Sequence, residues 1–271
     1  MKFIHLTDPH LTASGSLFEI DIDARLRAAV ASINAHHGDA ELAVITGDIA
    51  HWGEPGAYQR AVAALADLTI PCYPLMGNHD VLGAFYDGFP ATPQAPDGRA
   101  YYKVDTSAGA FLMLDTTCEG THGGLLDAAQ QAWLEDALAA TQGDTFLFMH
   151  HPPLDCGLEG LDSIRLMNAD ALAEVFAHNP DKVRHMFFGH MHRPFHGAWR
   201  GVPFSSVKST AHQTAPVFGT GVKLRSSSEM PGYAVAMITH ESVAIHDISF
   251  LEEDTTFDDA REFGGRDKPS M

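Results

Sequence analysis

Apolar runs of strand length that break off into oxygen and nitrogen donors recur along this chain. Phe3-Ile4-His5-Leu6 runs into Thr7-Asp8-Pro9-His10, and Ala43-Val44-Ile45 into Thr46-Gly47-Asp48. Pro74-Leu75-Met76 runs into Gly77-Asn78-His79-Asp80, Phe146-Leu147-Phe148-Met149 into His150-His151, and Met186-Phe187-Phe188 into Gly189-His190-Met191-His192. Runs of this kind predict buried strands that deliver donors from their carboxyl ends. Between them the period lengthens to that of a helix. Residues 21–37 put Ile22, Leu26, Ala29, Val30 and Ile33 on one stripe, and residues 55–68 open with Glu54-Pro55, proline being tolerated in a first turn. Strands over 41–46 and 70–76, alternating with these helices, predict parallel neighbours joined by right-handed crossovers.

Further along, Gly88, Pro90, Pro93, Pro96 and Gly98 break up residues 84–99, which are expected to be a loop at the mouth of the same face. Residues 100–104 and 110–116 read as a strand pair, and 127–140 as a helix capped by Asp127, with Gln130 completing a capping-box variant. Next come a strand ending at Met149, a helix over 168–178 with Leu172, Val175 and Phe176 inward, and a strand over 183–188. Residues 194–199, 203–207, 233–239 and 242–249 read as antiparallel strands completing a second sheet. The polar, glycine-rich stretch 208–231 is long for a connection and is expected to cover a pocket. The chain therefore divides into one domain over 1–250 and an acidic tail over 251–271.

Composition narrows the partners. A chain of 271 residues, 45% hydrophobic, can bury the core of one domain. Its net charge of -18, from 17 Lys and Arg against 35 Asp and Glu, disfavours a long polyanion such as duplex nucleic acid. No apolar run approaches the length of a membrane span. Cys72, Cys118 and Cys156 are far apart with no CxxC, which argues against a disulfide framework and a thiolate metal site and favours a reducing cytoplasm. The start at Met1-Lys2-Phe3-Ile4 is expected to enter a strand at once, without the charged region, apolar core and cleavage site of a leader.

In an extended segment residues i and i+2 point to one side, so Asp8 with His10, and His190 with His192, can each aim two donors into one space. Carboxylate, amide and imidazole without thiolate suit a borderline divalent ion such as Zn, Mn, Fe or Co. A single histidine among 17 is ordinarily a surface or core imidazole, but the placement of His10, His150, His190 and His192 at strand ends sets them apart. His5, His36, His37, His178, His185 and His240 lack that setting.

Taken in order, Asp8-Pro9-His10, Gly47-Asp48, Gly77-Asn78-His79-Asp80, His150-His151-Pro152 and Gly189-His190-Met191-His192 resemble the calcineurin-like metallophosphoesterases, with their DxH, GD, GNH, H and GHxH motifs. The resemblance implies an α/β fold, a four-layer α-β-β-α sandwich of two packed mixed sheets, with a dinuclear metal site at strand carboxyl ends. It further implies that Asp8, His10, Asp48 and His192 hold one divalent transition-metal ion and Asp48, Asn78, His150 and His190 the other, so that Asp48 bridges. The metals could be Mn, Fe, Zn or Co. Catalysis would then proceed by attack of a metal-bridging hydroxide on phosphorus, with His79 donating to a phosphate oxygen or the leaving group. Asp80 would orient His79 or another imidazole, and His151 would lie at the rim or behind the ligands. His51 and His212 are candidate substrate contacts, and Trp52 and Phe85 would either stack on a base or pack.

Departures from the motifs narrow the branch. The position where purple acid phosphatases carry a tyrosine ligand after GD is His51, and the arginines of serine/threonine protein phosphatases have no counterpart in Ile49-Ala50-His51-Trp52-Gly53 or Asp80-Val81. The His150-His151-Pro152-Pro153 run and the Ser209-Thr210-Ala211-His212-Gln213 stretch resemble bacterial class III cyclic nucleotide phosphodiesterases and the related glycerophosphodiesterase. The expected activity is hydrolysis of small phosphodiesters such as 3′,5′-cyclic nucleotides. The alternatives are a glycerophosphodiesterase or phosphomonoesterase of the same fold and, from another class, a noncatalytic scaffold that keeps the fold. The resemblance also admits a homo-oligomer.

Overall fold

The computed structural model describes residues 1–221 and 223–251. Strand Lys2–Leu6 pairs in parallel with Leu42–Ile45, which pairs in parallel with Cys72–Pro74. Helices Ile22–His37 and Pro55–Leu65 make the two crossovers. On its other edge Lys2–Leu6 meets Gly232–Ile238 and then Val243–Ser249, both antiparallel, completing a mixed five-stranded sheet. A second, six-stranded sheet runs in the order Phe195–Trp199, Val202–Ser206, Val183–Phe188, Thr145–Met149, Gly109–Met113 and Tyr102–Thr106.

Period-two alternation explains why these strands carry apolar residues on both faces. Phe3, Val44, Phe148 and Phe187 point into the layer between the sheets, where the Phe148 and Phe187 rings stack at 4.8 Å. Ile4, Leu6 and Ile45 point the other way, onto the two crossover helices, and the whole predicted stripe of the first helix lies buried there. Leu147, Met149 and Phe188 meet helices Ala128–Ala140 and Ala169–His178 on the far side. Helix, sheet, sheet and helix make the four-layer α-β-β-α sandwich.

Three expectations change. Residues 84–99 are not all loop: Leu82–Gly88 is a helix that buries Phe85 in the core, so Phe85 packs and Trp52 alone of that pair stays exposed. The four C-terminal strands do not share a sheet. Val202–Ser206 runs parallel to Val183–Phe188, whereas Gly232–Ile238 seats Ala236 and Ala234 opposite Phe3 and His5 in the first sheet. Asp127 does cap its helix through the Gln130 N–H, but the Gln130 side chain turns inward. It spans the Asp115 backbone, taking the N–H, which would otherwise be unpaired, and donating to the carbonyl, which Arg99 also reaches.

Among the described residues no helix is long and apolar enough to cross a membrane. The acidic tail expected over 251–271 lies, except for Leu251, outside the described residues.

Candidate metal centre and its cavity

The strand ends do more than stop. Asp8, His10, Asp48, His190 and His192 all hold positive φ, between 47° and 67°. L-residues enter this region at a cost of about 1–3 kcal/mol each, and hold it where the surroundings dictate it. Here the loops dictate it to one another: the His10 N–H donates to the Asp48 carbonyl at 2.9 Å and the Asp8 N–H to the Gly47 carbonyl at 3.2 Å. The His190 N–H donates to the Asp8 carboxylate at 3.1 Å. Two glycines let the loops close this far. A Cβ at Gly47, whose φ is 91°, would come within 2.6 Å of the His150 ring, and one at Gly77 within 2.2 Å of the Asp48 carboxylate.

The result is two groups of donors that meet at Asp48. In one, His10 Nε2 lies 3.0 Å from His192 Nε2 and 3.5 Å from Asp48 Oδ2, and His192 Nε2 lies 3.4 Å from Asp8 Oδ1. One donor atom from each of Asp8, His10, Asp48 and His192 falls within 4.8 Å of all the others, close enough to share an ion. In the other group, His150 Nε2 lies 3.3 Å from Asp48 Oδ2, 3.1 Å from Asn78 Oδ1 and 3.2 Å from His190 Nδ1.

The far side of each ring decides what the near side can do. His150 Nδ1–H donates to the Thr46 carbonyl and His192 Nδ1–H to the His212 carbonyl, both at 2.8 Å. In the neutral rings both Nε2 atoms are therefore bare: His190 Nδ1 and His10 Nε2 can supply one proton each, fewer than the ring nitrogens and carboxylate oxygens that converge there. A divalent cation does satisfy them, so the residues fit the ions that the motifs imply. Electrostatics agree. Burial would raise the Asp48 carboxyl, but His150, His10 and His79 outweigh it and hold the group well below the usual carboxylate range. Without a cation the imbalance falls on His150, where burial opposes a charge yet Asp48 and Asp8 push the pKa up to about 9.

The remaining candidates sort themselves by contact. His79 Nδ1–H donates to the His51 carbonyl at 2.6 Å, its N–H donates to Asp48 Oδ1, and its ring lines the cavity. His51 stacks on His79 and puts its Nδ1 3.0 Å from that of His10. His212 also lines the cavity, its ring 4.6 Å from that of His192. His151 is not at the rim. It is fully buried, accepts from the Thr116 hydroxyl and donates to the His122 carbonyl, and burial lowers its pKa to about 3. Asp80 touches no imidazole: its carboxylate takes the N–H groups of Ile49, Ala50 and Gly77 and the Tyr58 hydroxyl, tying two motif loops together.

Sequence reasoning missed His122. It sits in an exposed loop, away from any strand end, yet its Nδ1 receives the Asn78 amide at 2.9 Å, which turns Asn78 Oδ1 toward His150. Only its neighbours Gly123 and Gly124 mark it as a tight turn. Also missed was a chain of hydroxyls behind Asp8. His5 donates to Thr46, Thr46 to Thr7 and Thr7 to Asp8 Oδ2, at 2.8, 2.8 and 2.6 Å.

The donors open into a cavity of about 270 Å³, at the small end for a small-molecule site. Thr214, Leu224 and Ser226 of the 208–231 stretch line it, and among the described residues its lining includes no lysine or arginine.

A family model described as calcineurin-like phosphoesterase matches residues 1–194, and the chain belongs to that family. A probable cyclic nucleotide phosphodiesterase of Rhodopseudomonas palustris is 41% identical over 262 residues, covering 95% of each chain. The 3′,5′-cyclic adenosine monophosphate phosphodiesterase CpdA of Escherichia coli is 32% identical over 219 residues, covering 80% of this chain and 78% of that enzyme. Among solved structures, a purple acid phosphatase from yellow lupin superimposes with a TM-score of 0.65 at 13% identity. It matches 92% of this chain, which spans 51% of its length, and it shows the fold alone.

Proposed function

We propose that this protein hydrolyses small phosphodiesters, 3′,5′-cyclic nucleotides among them. In this reading Asp8, His10, Asp48 and His192 hold one divalent ion and Asp48, Asn78, His150 and His190 a second. The observation that carries it is the convergence of two donor groups on Asp48 Oδ2, with bare ring nitrogens on both sides. The names of the two bacterial relatives support the diester as substrate class. When bound, the ions would supply Lewis acidity and a water of lowered pKa.

The chain's own residues do the rest. The carbonyls of Thr46 and His212 keep the ligand rings in the tautomer that leaves Nε2 free. His122 orients Asn78. His79, with Nδ1 engaged by the His51 carbonyl, offers Nε2–H to a phosphate oxygen or to the leaving oxygen in its protonated form. The 208–231 stretch closes one side of the cavity, which favours substrates with a single phosphate over long duplexes.

The test is metal analysis of the purified protein beside rates on 3′,5′-cyclic AMP, a glycerophosphodiester, an aryl diester and duplex DNA, with Mn, Zn or Co supplied. Two metals per chain and preference for a small diester are expected. Efficient DNA cleavage with no turnover of small diesters would overturn the reading.

A further inference from the structure

Two large aromatic side chains at the cavity mouth have no structural reason to be there. Phe18 is 60% exposed and Trp52 62% exposed, and both line the cavity. They come from different loops. Phe18 sits at the tip of a small hairpin whose arms, Ser16–Leu17 and Ile20–Asp21, pair antiparallel and leave Phe18 and Glu19 as the two turn residues. Both hold positive φ, 52° and 62°, as a type I′ turn requires. That turn prefers Asn-Gly, and a bulky aromatic in the left-handed region is an outlier. Phe18 therefore strains its own backbone while leaving its ring mostly in water, so neither folding nor packing accounts for it.

What the ring faces is the site. It lies edge-on to His212 at 5.1 Å and to His51 at 6.4 Å. Trp52 lies 4.3 Å from His51 and 5.3 Å from His79. Leu161, Ile164 and Leu224 also line the cavity, giving it further apolar surface, and no lysine or arginine among the described residues offers to bind a second anionic group. A flat, uncharged group attached close to the phosphate suits this surface. In a cyclic nucleotide the base stands one sugar ring from phosphorus, whereas a glycerophosphodiester has nothing planar to place there.

We infer that Phe18 and Trp52 form the base-recognition wall of this site, and that they select nucleoside diesters over glycerol diesters. The inference rests on the phosphodiesterase reading above and deepens it. Base stacking on an aromatic side chain changes affinity by roughly 5- to 150-fold when the ring is removed.

Phe18→Asn separates strain from function, because asparagine relieves the turn while deleting the ring. The variant is expected to melt no lower than the parent. Its kcat/KM for 3′,5′-cyclic AMP relative to a glycerophosphodiester should fall within that range, and Trp52→Ala should do the same. Calorimetric binding of 5′-AMP should weaken in both variants while binding of inorganic phosphate stays constant. Equal losses on both diesters, or unchanged 5′-AMP binding, would overturn the inference and leave the phosphodiesterase reading standing. If the parent turned over no diester at all, that reading would fail, and 5′-AMP binding to parent and variants would still decide the role of the wall. A changed oligomeric state with an unchanged substrate ratio would assign the two rings to contact with a second copy.

Discussion

This protein buries histidines in two places, and the two environments put the same ring to opposite uses. Between the sheets, His5 and His185 sit on regular strands among Phe148 and Phe187, and each gives one nitrogen to a hydroxyl, of Thr46 and of Ser205. Burial drives their pKa values down, to about 3 and about 4, so they stay neutral. At the strand ends, His10, His150, His190 and His192 are as deeply buried, but the strained loops that carry His10, His190 and His192 aim them at other acceptors. Burial alone, then, does not make a histidine a ligand. What distinguishes the second group is that ring nitrogens and carboxylate oxygens converge with fewer protons than acceptors.

The comparison can be broken by experiment, most sharply at Asp48. Asp48→Ala removes the one carboxylate common to both donor groups and is expected to reduce turnover to background with loss of bound metal. Near-normal rate with two metals retained would refute the bridging role. Next in size, His79→Ala should keep its metals and slow hydrolysis by about 10²–10⁴-fold. The loss should shrink on diesters with good leaving groups, and an equal loss on all diesters would rule out donation to the leaving oxygen. His122→Ala frees the Asn78 amide, and a drop of about 10–100-fold in metal affinity or rate is expected. Unchanged metal titration and kinetics would show that Asn78 holds its orientation unaided.

The smallest effects on turnover belong to the histidines between the sheets, whose weight falls on stability instead. As pH falls below the ordinary histidine value of 6.5, the unfolded chain takes up protons that folded His5 and His185 refuse, so stability falls with pH until their own pKa values near 3 and 4 are reached. His5→Phe and His185→Phe should each flatten that acid limb by about 1.4 kcal/mol per pH unit, measured by denaturant melts. His5→Phe should in addition perturb activity slightly, because only His5 is chained through Thr46 and Thr7 to Asp8. Identical activity in the two variants would show that the chain carries nothing.

Much of this molecule can be read from local pattern, because strand and helix periodicity depend on nearest neighbours. The first helix with its buried stripe, the parallel order of the first three strands and the ordered donor motifs at strand ends are all legible in that way. They also carry the family resemblance, since the motifs are contiguous. What the sequence could not determine depends on partners distant along the chain. Pairing with Val183–Phe188 takes Val202–Ser206 into one sheet, and pairing with Lys2–Leu6 takes Gly232–Ile238 into the other. Asp80 clamps backbone rather than an imidazole because the loop N–H groups of Ile49 and Ala50, 31 and 30 residues earlier, arrive beside it. His122 reaches Asn78 across 44 positions. Which nitrogen of each ring is bare was likewise decided only by tertiary structure, because a tautomer is set by the carbonyl that packs behind the ring and no local motif encodes that carbonyl.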